Sequence, residues 1–452
     1  MARRRAVPRQ AHHPEQSRRA DFRYGTGEAR VPWAAVGEVV RTEDIVAMLQ
    51  LLIPPPADGR RKYDVAFQRV VADLERLGRA GGRAAKLTLG SAVGRLEEAV
   101  KRFLKCKYAL FLTNATAGFE IGYKFAGLAP GDEVIAPAIT FISTILYPLG
   151  IGAKVVLADL DPRTLNMDPA DVARKITRRT KVIFPVHIGG YPTDMAPIMR
   201  LARRHNITVI EDAAHAFGAL YRGRMAGTIG DFGAFSFHEV KNINALGEGG
   251  ILVTNRTAFG KQLSMARFVG LDTSRSIPTW LYDVTALKGK RGYVAPGNHS
   301  PTEIQAVALL SQMKRIRRII ARRRAAANYL TRRFQKVPGL VTPPMDTKTT
   351  KSTWHLYLLQ VDPEEAGGNV QTFKKLLEKR GVVHIPHFAP LYKFSIMRQL
   401  GYDTKAIAAS CPVAEDLFCN RFTHLPLYEF TKEQLCYLAD AVIDAVKEMR
   451  GG

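Results

Sequence analysis

Cysteine is scarce in this sequence: four stand among 452 residues, and Cys106, Cys411, Cys419 and Cys436 are separated by 304, 7 and 16 residues. None of these intervals is a CxxC or zinc-knuckle spacing, which argues against a disulfide framework or metal site and leaves free thiols of a reducing compartment. Long apolar runs are missing too. No stretch approaches the roughly 18 apolar residues of a membrane-crossing helix. The basic start Met1-Ala2-Arg3-Arg4-Arg5 is followed by Pro, Gln, His and Arg rather than by the apolar core of a secretory signal. A cytoplasmic protein with no membrane partner is the expectation.

Acidic residues are also short, 41 Asp and Glu against 66 Lys and Arg, for a formal net charge of +25. Such an excess fits a nucleic-acid binder or a field that gathers anionic small molecules. Much of it sits in the N-terminal tail and in the run 314–324, where basic and apolar positions alternate at helical spacing, as on the solvated face of an amphipathic helix. No aromatic stacking platform or nucleic-acid module accompanies either run, so a small anionic substrate is the better expectation.

Residues 1–30, rich in Arg, Pro, His and Gln without apolar periodicity, read as a disordered basic tail. Helical patterns broken at Ile53-Pro54-Pro55-Pro56 make a helical extension over 31–85. From Lys107 short apolar runs alternate with amphipathic ones, predicting a mostly parallel sheet with helices on both faces in a large α/β domain over 86–300. A basic helix over 303–335 then leads to a smaller α+β domain, the two together filling 301–452, with a strand over 354–361 and helices over 369–379 and 432–449.

Four segments fall at strand ends or in the turns after them, where an open α/β sheet binds its ligands. Leu112-Thr113-Asn114-Ala115-Thr116-Ala117-Gly118 can offer backbone N–H groups and a helix dipole to a phosphate, or can be a plain N-cap. Ile210-Glu211-Asp212-Ala213-Ala214-His215 ends a buried strand with a carboxylate that can hold a proton on a pyridine nitrogen, or can cap a helix. In Ser236-Phe237-His238-Glu239-Val240-Lys241-Asn242 a lysine in a polar loop can form a Schiff base if its pKa is depressed, and is otherwise surface charge. His238 has no partner at ligand spacing, so it is taken as structural and no metal is expected. Gly292 to Glu303, with Asn298, says by itself only that the chain turns.

Together, in this order and spacing, these segments resemble the DegT/StrS sugar aminotransferases, pyridoxal-phosphate (PLP) enzymes of fold type I, over about residues 86–449. Thr116-Ala117-Gly118, Pro185-Val186-His187, Ser236-Phe237-His238 and Lys241-Asn242-Ile243 resemble especially the UDP-4-amino-4-deoxy-L-arabinose aminotransferases. The resemblance implies a homodimer with shared active sites, a keto group of a nucleotide-linked sugar as acceptor, and glutamate or glutamine as donor. It implies that Lys241 carries the cofactor and moves the proton, that Asp212 pairs with the pyridine nitrogen, and that His215 lies near the ring hydroxyl. Thr116, Ala117 and Ser236 would hold the phosphate, Phe141 would stack on the ring, and Asn298 would reach the phosphate of the neighbouring subunit.

Two departures bear on specificity. The loop after Lys241 is one residue longer than in the enzymes it otherwise resembles, and its Ala245-Leu246-Gly247 is closer to 3-keto-sugar aminotransferases. His299-Ser300-Pro301 replaces a Tyr-Arg-Met-like continuation after Asn298. Pro390-Leu391-Tyr392-Lys393 resembles cyclitol aminotransferases, which keeps a cyclitol acceptor as the alternative. A regulatory or nucleic-acid-binding protein on the same scaffold is a third reading, against which the retained Asp212 and Lys241 speak.

Overall fold

In the computed structural model, which describes residues 40–80, 87–88, 90–272, 283–384 and 388–451, the alternation of apolar and amphipathic runs becomes a layered α/β structure. The basic tail expected over 1–30 lies outside the described residues. The chain divides into two compact units, residues 1–87 with 272–283, and residues 88–271 with 284–452.

In the first unit, α1 (Thr42–Leu52) and α2 (Arg60–Arg79) flank the proline-rich break. Tyr63 Oη donates to Ile53 O at 2.6 Å, and its ring stacks 5.5 Å from Phe67. Neither helix buries a residue.

The second unit is built on seven strands: β1 (Tyr108–Leu112), β2 (Glu133–Pro137), β3 (Lys154–Ala158), β4 (Thr180–Ile183), β5 (Thr208–Asp212), β6 (Phe232–Ser236) and β7 (Gly250–Thr254). Their spatial order is β1-β7-β6-β5-β4-β2-β3. All run parallel except β7, which is antiparallel to both of its neighbours. The strands are nearly continuous apolar runs because both faces are covered. Successive side chains point to opposite faces: Phe232, Ala234 and Leu252 pack with α4 (Ala115–Ala126), whereas Phe235, Ile251 and Val253 pack with α3 (Ser91–Leu104).

Among its further helices are α5 (Ser143–Gly150) and α6 (Met195–His205). The basic segment expected as one helix is two, α7 (Glu303–Met313) and α8 (Ile316–Phe334), because the backbone leaves helical geometry at Arg315, φ −119° and ψ 6°. A small sheet follows, β8 (Leu340–Val341), β9 (Leu356–Val361) and β10 (Phe422–Pro426), antiparallel throughout. It packs with α9 (Val370–Lys379) and α10 (Lys432–Met449) in a separate apolar cluster that includes Phe334, Trp354, Tyr357 and Phe373. Among the described residues no helix is long and apolar enough to cross a membrane.

Candidate active site

The carboxyl ends of β1, β2, β5 and β6 open into one cavity of about 590 Å³. Asn114, Ala115, Thr116, Thr140, Phe141, Asp212, His215, Ser236, His238 and Lys241 line it, and so do Arg323, His355, Phe388 and His424 from later in the chain. The strand order explains the meeting. Gly250 of β7 pairs with both Leu112 of β1 and Ser236 of β6, so the start of α4 arrives beside Ser236. This approach requires glycine: a Cβ at Gly250 would stand 2.2 Å from the carbonyl carbon of Asn114.

At the start of α4, Asn114 caps the helix by accepting from Ala117 N at 2.9 Å. The Ala117 N–H is therefore occupied, and Ala117 is not part of the cavity wall, whereas Ala115 and Thr116 are. Ser236 Oγ accepts from His238 N at 3.2 Å, which leaves its own O–H to donate. A helix N-terminus with hydroxyls on either side suits a phosphate.

Asp212 ends β5 and is buried. Its Oδ1 accepts from Ala214 N at 3.0 Å and its Oδ2 from Thr144 Oγ1 at 3.2 Å. Loss of solvent raises its pKa above the usual carboxylate value, against the pull of the Ala214 N–H, the Lys241 ammonium, the Thr144 hydroxyl and His187. Burial also depresses Lys241, to about 8, although Asp212 and Glu248 favour its charged form. Both groups are thus pushed toward neutrality, which makes Lys241 a nucleophile near neutral pH.

The loop that carries Lys241 is anchored close to it. Asn242 Nδ2 donates to Thr353 O at 3.1 Å, and its Oδ1 lies 3.1 Å from His355 Nδ1. Asn244 N donates to Gln312 Oε1 at 3.0 Å, with Gln312 Nε2 returning a bond to Asn244 O at 2.7 Å. His215 Nδ1 accepts from Gly189 N at 3.2 Å, and its ring lies 4.4 Å from that of His355. Phe141, more than half exposed, has its ring 6.2 Å from Phe388. Asn298 does not line this cavity; it bridges to Phe268, and its Oδ1 accepts from Ser300 N at 3.3 Å.

Sequence reasoning missed Thr144, His355, Phe388 and Arg323. Arg323 needs a correction. The run 314–324 was expected to be a solvated face, but Arg323 follows Ile320 by three positions and precedes Ala327 by four, both buried, so it joins the inward stripe of α8. That spacing was visible in the sequence. His238, taken as structural, also faces the cavity, its Nε2 3.7 Å from Glu248. Among the described residues no group of three or more His, Cys, Asp or Glu could hold a metal ion.

An amine of depressed basicity, a buried carboxyl and an anion cradle in one cavity fit a planar aldehyde that carries a phosphate. The family model of the DegT/DnrJ/EryC1/StrS aminotransferases matches residues 75–446. The chain belongs to that family. SpsC of Bacillus subtilis, a spore coat polysaccharide biosynthesis protein, is 34% identical over 373 residues, 81% of this chain and 91% of its own length. The GDP-perosamine synthase of Caulobacter vibrioides is 34% identical over 361 residues, 78% of this chain and 91% of its own. A Streptococcus pneumoniae protein titled a sugar aminotransferase, Spr1654, was solved in a PLP form and superposes with TM-score 0.70 at 26% identity, covering 81% of this chain and 94% of its own. The expected fold, a type I aminotransferase with a large, mostly parallel sheet, is therefore the fold of this family member.

Proposed function

We infer that this aminotransferase uses pyridoxal phosphate to move an amino group from glutamate or glutamine to a keto group of a nucleotide-linked sugar. The observation that carries the reading is Lys241, lowered to about 8, in one cavity with buried Asp212. When bound, pyridoxal phosphate supplies an electron sink that stabilises negative charge on the amino-bearing carbon. The chain's residues do the rest. Lys241 Nζ would be the attachment point and the base that carries a proton between carbons. Asp212 holds a proton on the ring nitrogen, with Thr144 Oγ1 and Ala214 N fixing its carboxyl. Thr116 and Ser236 would hold the phosphate at the start of α4, with Ala117 next in the helix. Phe141 and His215, both on the cavity wall, would hold the ring, His215 toward its hydroxyl. Asn298 serves the site of a partner subunit in a homodimer.

The sugar acceptor is supported by the two curated relatives, whose names concern polysaccharide biosynthesis and perosamine synthesis. The residues that suggested a cyclitol give that alternative no support. Tyr392 is buried with its hydroxyl donating to Glu415 at 2.6 Å, and Lys393 Nζ bonds the other oxygen of Glu415 at 2.6 Å, both outside the cavity wall.

The test is to incubate the purified protein with PLP, L-glutamate and a panel of nucleotide-linked keto sugars and free cyclitol ketones, measuring 2-oxoglutarate. Production with at least one nucleotide-linked sugar is expected. Production with the cyclitol ketones alone would overturn the acceptor assignment.

A further inference from the structure

Helix α8 carries three consecutive arginines, and their surroundings differ. Arg322 pairs with Glu429, and Arg324 Nε lies 2.6 Å from Asp346 Oδ2. Arg323, between them, meets no carboxylate among the described residues. Its position on the inward stripe of the helix turns it to the cavity that holds Lys241 and Asp212. Only Nη1 is engaged there, with His355 O at 3.3 Å, Trp354 O at 3.5 Å and Leu427 O. Among the described residues Nε and Nη2 have no hydrogen bond. Burial lowers the guanidinium to about 10, and the neighbouring Arg322 adds to the effect. A desolvated cation held only by carbonyl dipoles is an unfavourable arrangement that an anionic ligand relieves.

The unengaged edge has a definite chemistry. Nε–H and one N–H of Nη2 point the same way, forming the fork that matches the two oxygens of a carboxylate. Arg323 is also linked by hydrogen bonds to the loop that carries the reacting amine. Its Nη1 bonds the carbonyl of His355, whose Nδ1 is 3.1 Å from Asn242 Oδ1, and Asn242 follows Lys241 in the chain. This wall, formed by α8 and the chain next to β9 and β10, is distinct from the start of α4 and Ser236.

We propose that Arg323 binds the α-carboxylate of the amino-acid donor through Nε and Nη2. An α-amino acid separates its nitrogen from its carboxylate by two bonds, so a donor delivering nitrogen at Lys241 needs a carboxylate site on the adjoining wall. The proposal rests on the aminotransferase reading above. The diphosphate of a nucleotide sugar is the competing anion and is distinguished by experiment.

The experiment follows the loss of cofactor absorbance when PLP-loaded protein meets L-glutamate or 4-aminobutyrate, which is glutamate without its α-carboxylate. Wild type is expected to favour glutamate strongly. In Arg323→Gln the apparent affinity for glutamate should fall about 10- to 100-fold, the loss of a charge-assisted bidentate contact, with 4-aminobutyrate unchanged. Arg323→Lys keeps the charge without the fork and should fall between; it decides the matter if the Gln variant does not fold by thermal shift. Unchanged glutamate affinity in both variants overturns the proposal. Equal weakening of both amines would assign Arg323 to bracing the Leu427 and His355 carbonyls and overturns it as well. So does a loss confined to a UDP-linked 4-keto sugar added to the aminated enzyme, which would mark a diphosphate site. If the wild-type protein ignores every amino acid offered, the aminotransferase reading itself fails and the proposal falls with it.

Discussion

Thr144 Oγ1 donates to Asp212 Oδ2 at 3.2 Å inside the protein, and the same hydroxyl lies 3.2 Å from Thr140 Oγ1. A hydroxyl has one proton. With Thr144 directing its proton to Asp212, Thr140 must donate to Thr144, and the two threonines form a short relay that ends on the carboxylate. Tyr123 Oη fixes the relay from behind by donating to Thr144 O at 2.8 Å.

Thr144→Val keeps the shape and removes the donor. A hydrogen bond to the charged form favours that form, so its loss should raise the proton affinity of Asp212 further. The amino-transfer half-reaction should slow roughly 10-fold or more, the scale of one hydrogen bond to a charged group. Thr144→Ser should restore it. A pH titration of the cofactor's absorbance checks the electrostatic part, because loss of packing alone would not move that titration. An unchanged titration in the Val variant would reduce Thr144 to packing.

Lys241 gives a pH prediction with a definite sign. Its folded pKa of about 8 lies below the ordinary lysine value of 10.5, so the amine loses its proton early as pH rises. Only the neutral amine attacks an aldehyde. The rate at which the cofactor-free protein captures PLP should therefore climb with pH and level off above about 8, rather than climb on toward the ordinary lysine value. Stopped-flow absorbance between neutral and alkaline pH measures it, with Lys241→Ala as the variant that captures none. A rate still rising steeply well above the plateau would mean that Lys241 is not desolvated in solution.

The parts of this molecule that were legible in the sequence are those with local causes. The helix expected over 432–449 spans those residues, and a capping pair, Thr431 with Gln434, opens it. The helix expected over 369–379 begins one residue later because Asn369 is its cap, accepting from Gln371 and Thr372. The placement of Asp212 at the end of β5 and of Lys241 in the loop after β6 was readable because an apolar strand precedes each. Thr144 was not readable, since its partner is 68 positions away and only the sheet order brings them together. His355 was read as part of a strand that in fact starts at Leu356; the preceding Trp354 takes a positive φ of 51°, which turns the chain toward Asn242.

Glu211, next to Asp212, should matter for stability rather than for chemistry. Fully buried, it accepts from Gly227 N at 2.8 Å, from Ile229 N and Gly230 N at 2.6 Å each, and from His187 Nε2 at 3.0 Å. His187 Nδ1 accepts from Thr193 N at 3.0 Å, which fixes the tautomer and puts the remaining ring proton on Nε2. Glu211→Leu leaves four donors unpaired, three of them buried, at about 1–3 kcal/mol for each buried one. The protein should unfold several degrees lower in thermal scans, or fail to accumulate. Glu211→Gln, which keeps one acceptor, should lie between. Wild-type thermal stability in the Leu variant would mean that the loop before β6 finds other partners.

The assembly prediction concerns Asn298, which does not line the cavity of its own chain. Its loop is held firmly: His299 N donates to Arg267 O at 2.8 Å, and Thr113 N donates to His299 O at 3.1 Å, one residue past the end of β1. On the function proposed above, Asn298 serves the cavity of a second copy rather than its own. Under a two-fold axis each site would combine Lys241 of one subunit with Asn298 of the other. Lys241→Ala removes the attachment point, and Asn298→Asp sets a carboxylate against the cofactor phosphate, so each variant alone should be nearly inactive. Unfolding and refolding the two together at equal amounts makes about half the dimers mixed, and each mixed dimer holds one intact site, so about a quarter of wild-type activity should return. If Asn298 served its own chain, every site in the mixture would still carry one defect. Activity would then stay at the sum of the parents, and the shared-site arrangement would be wrong.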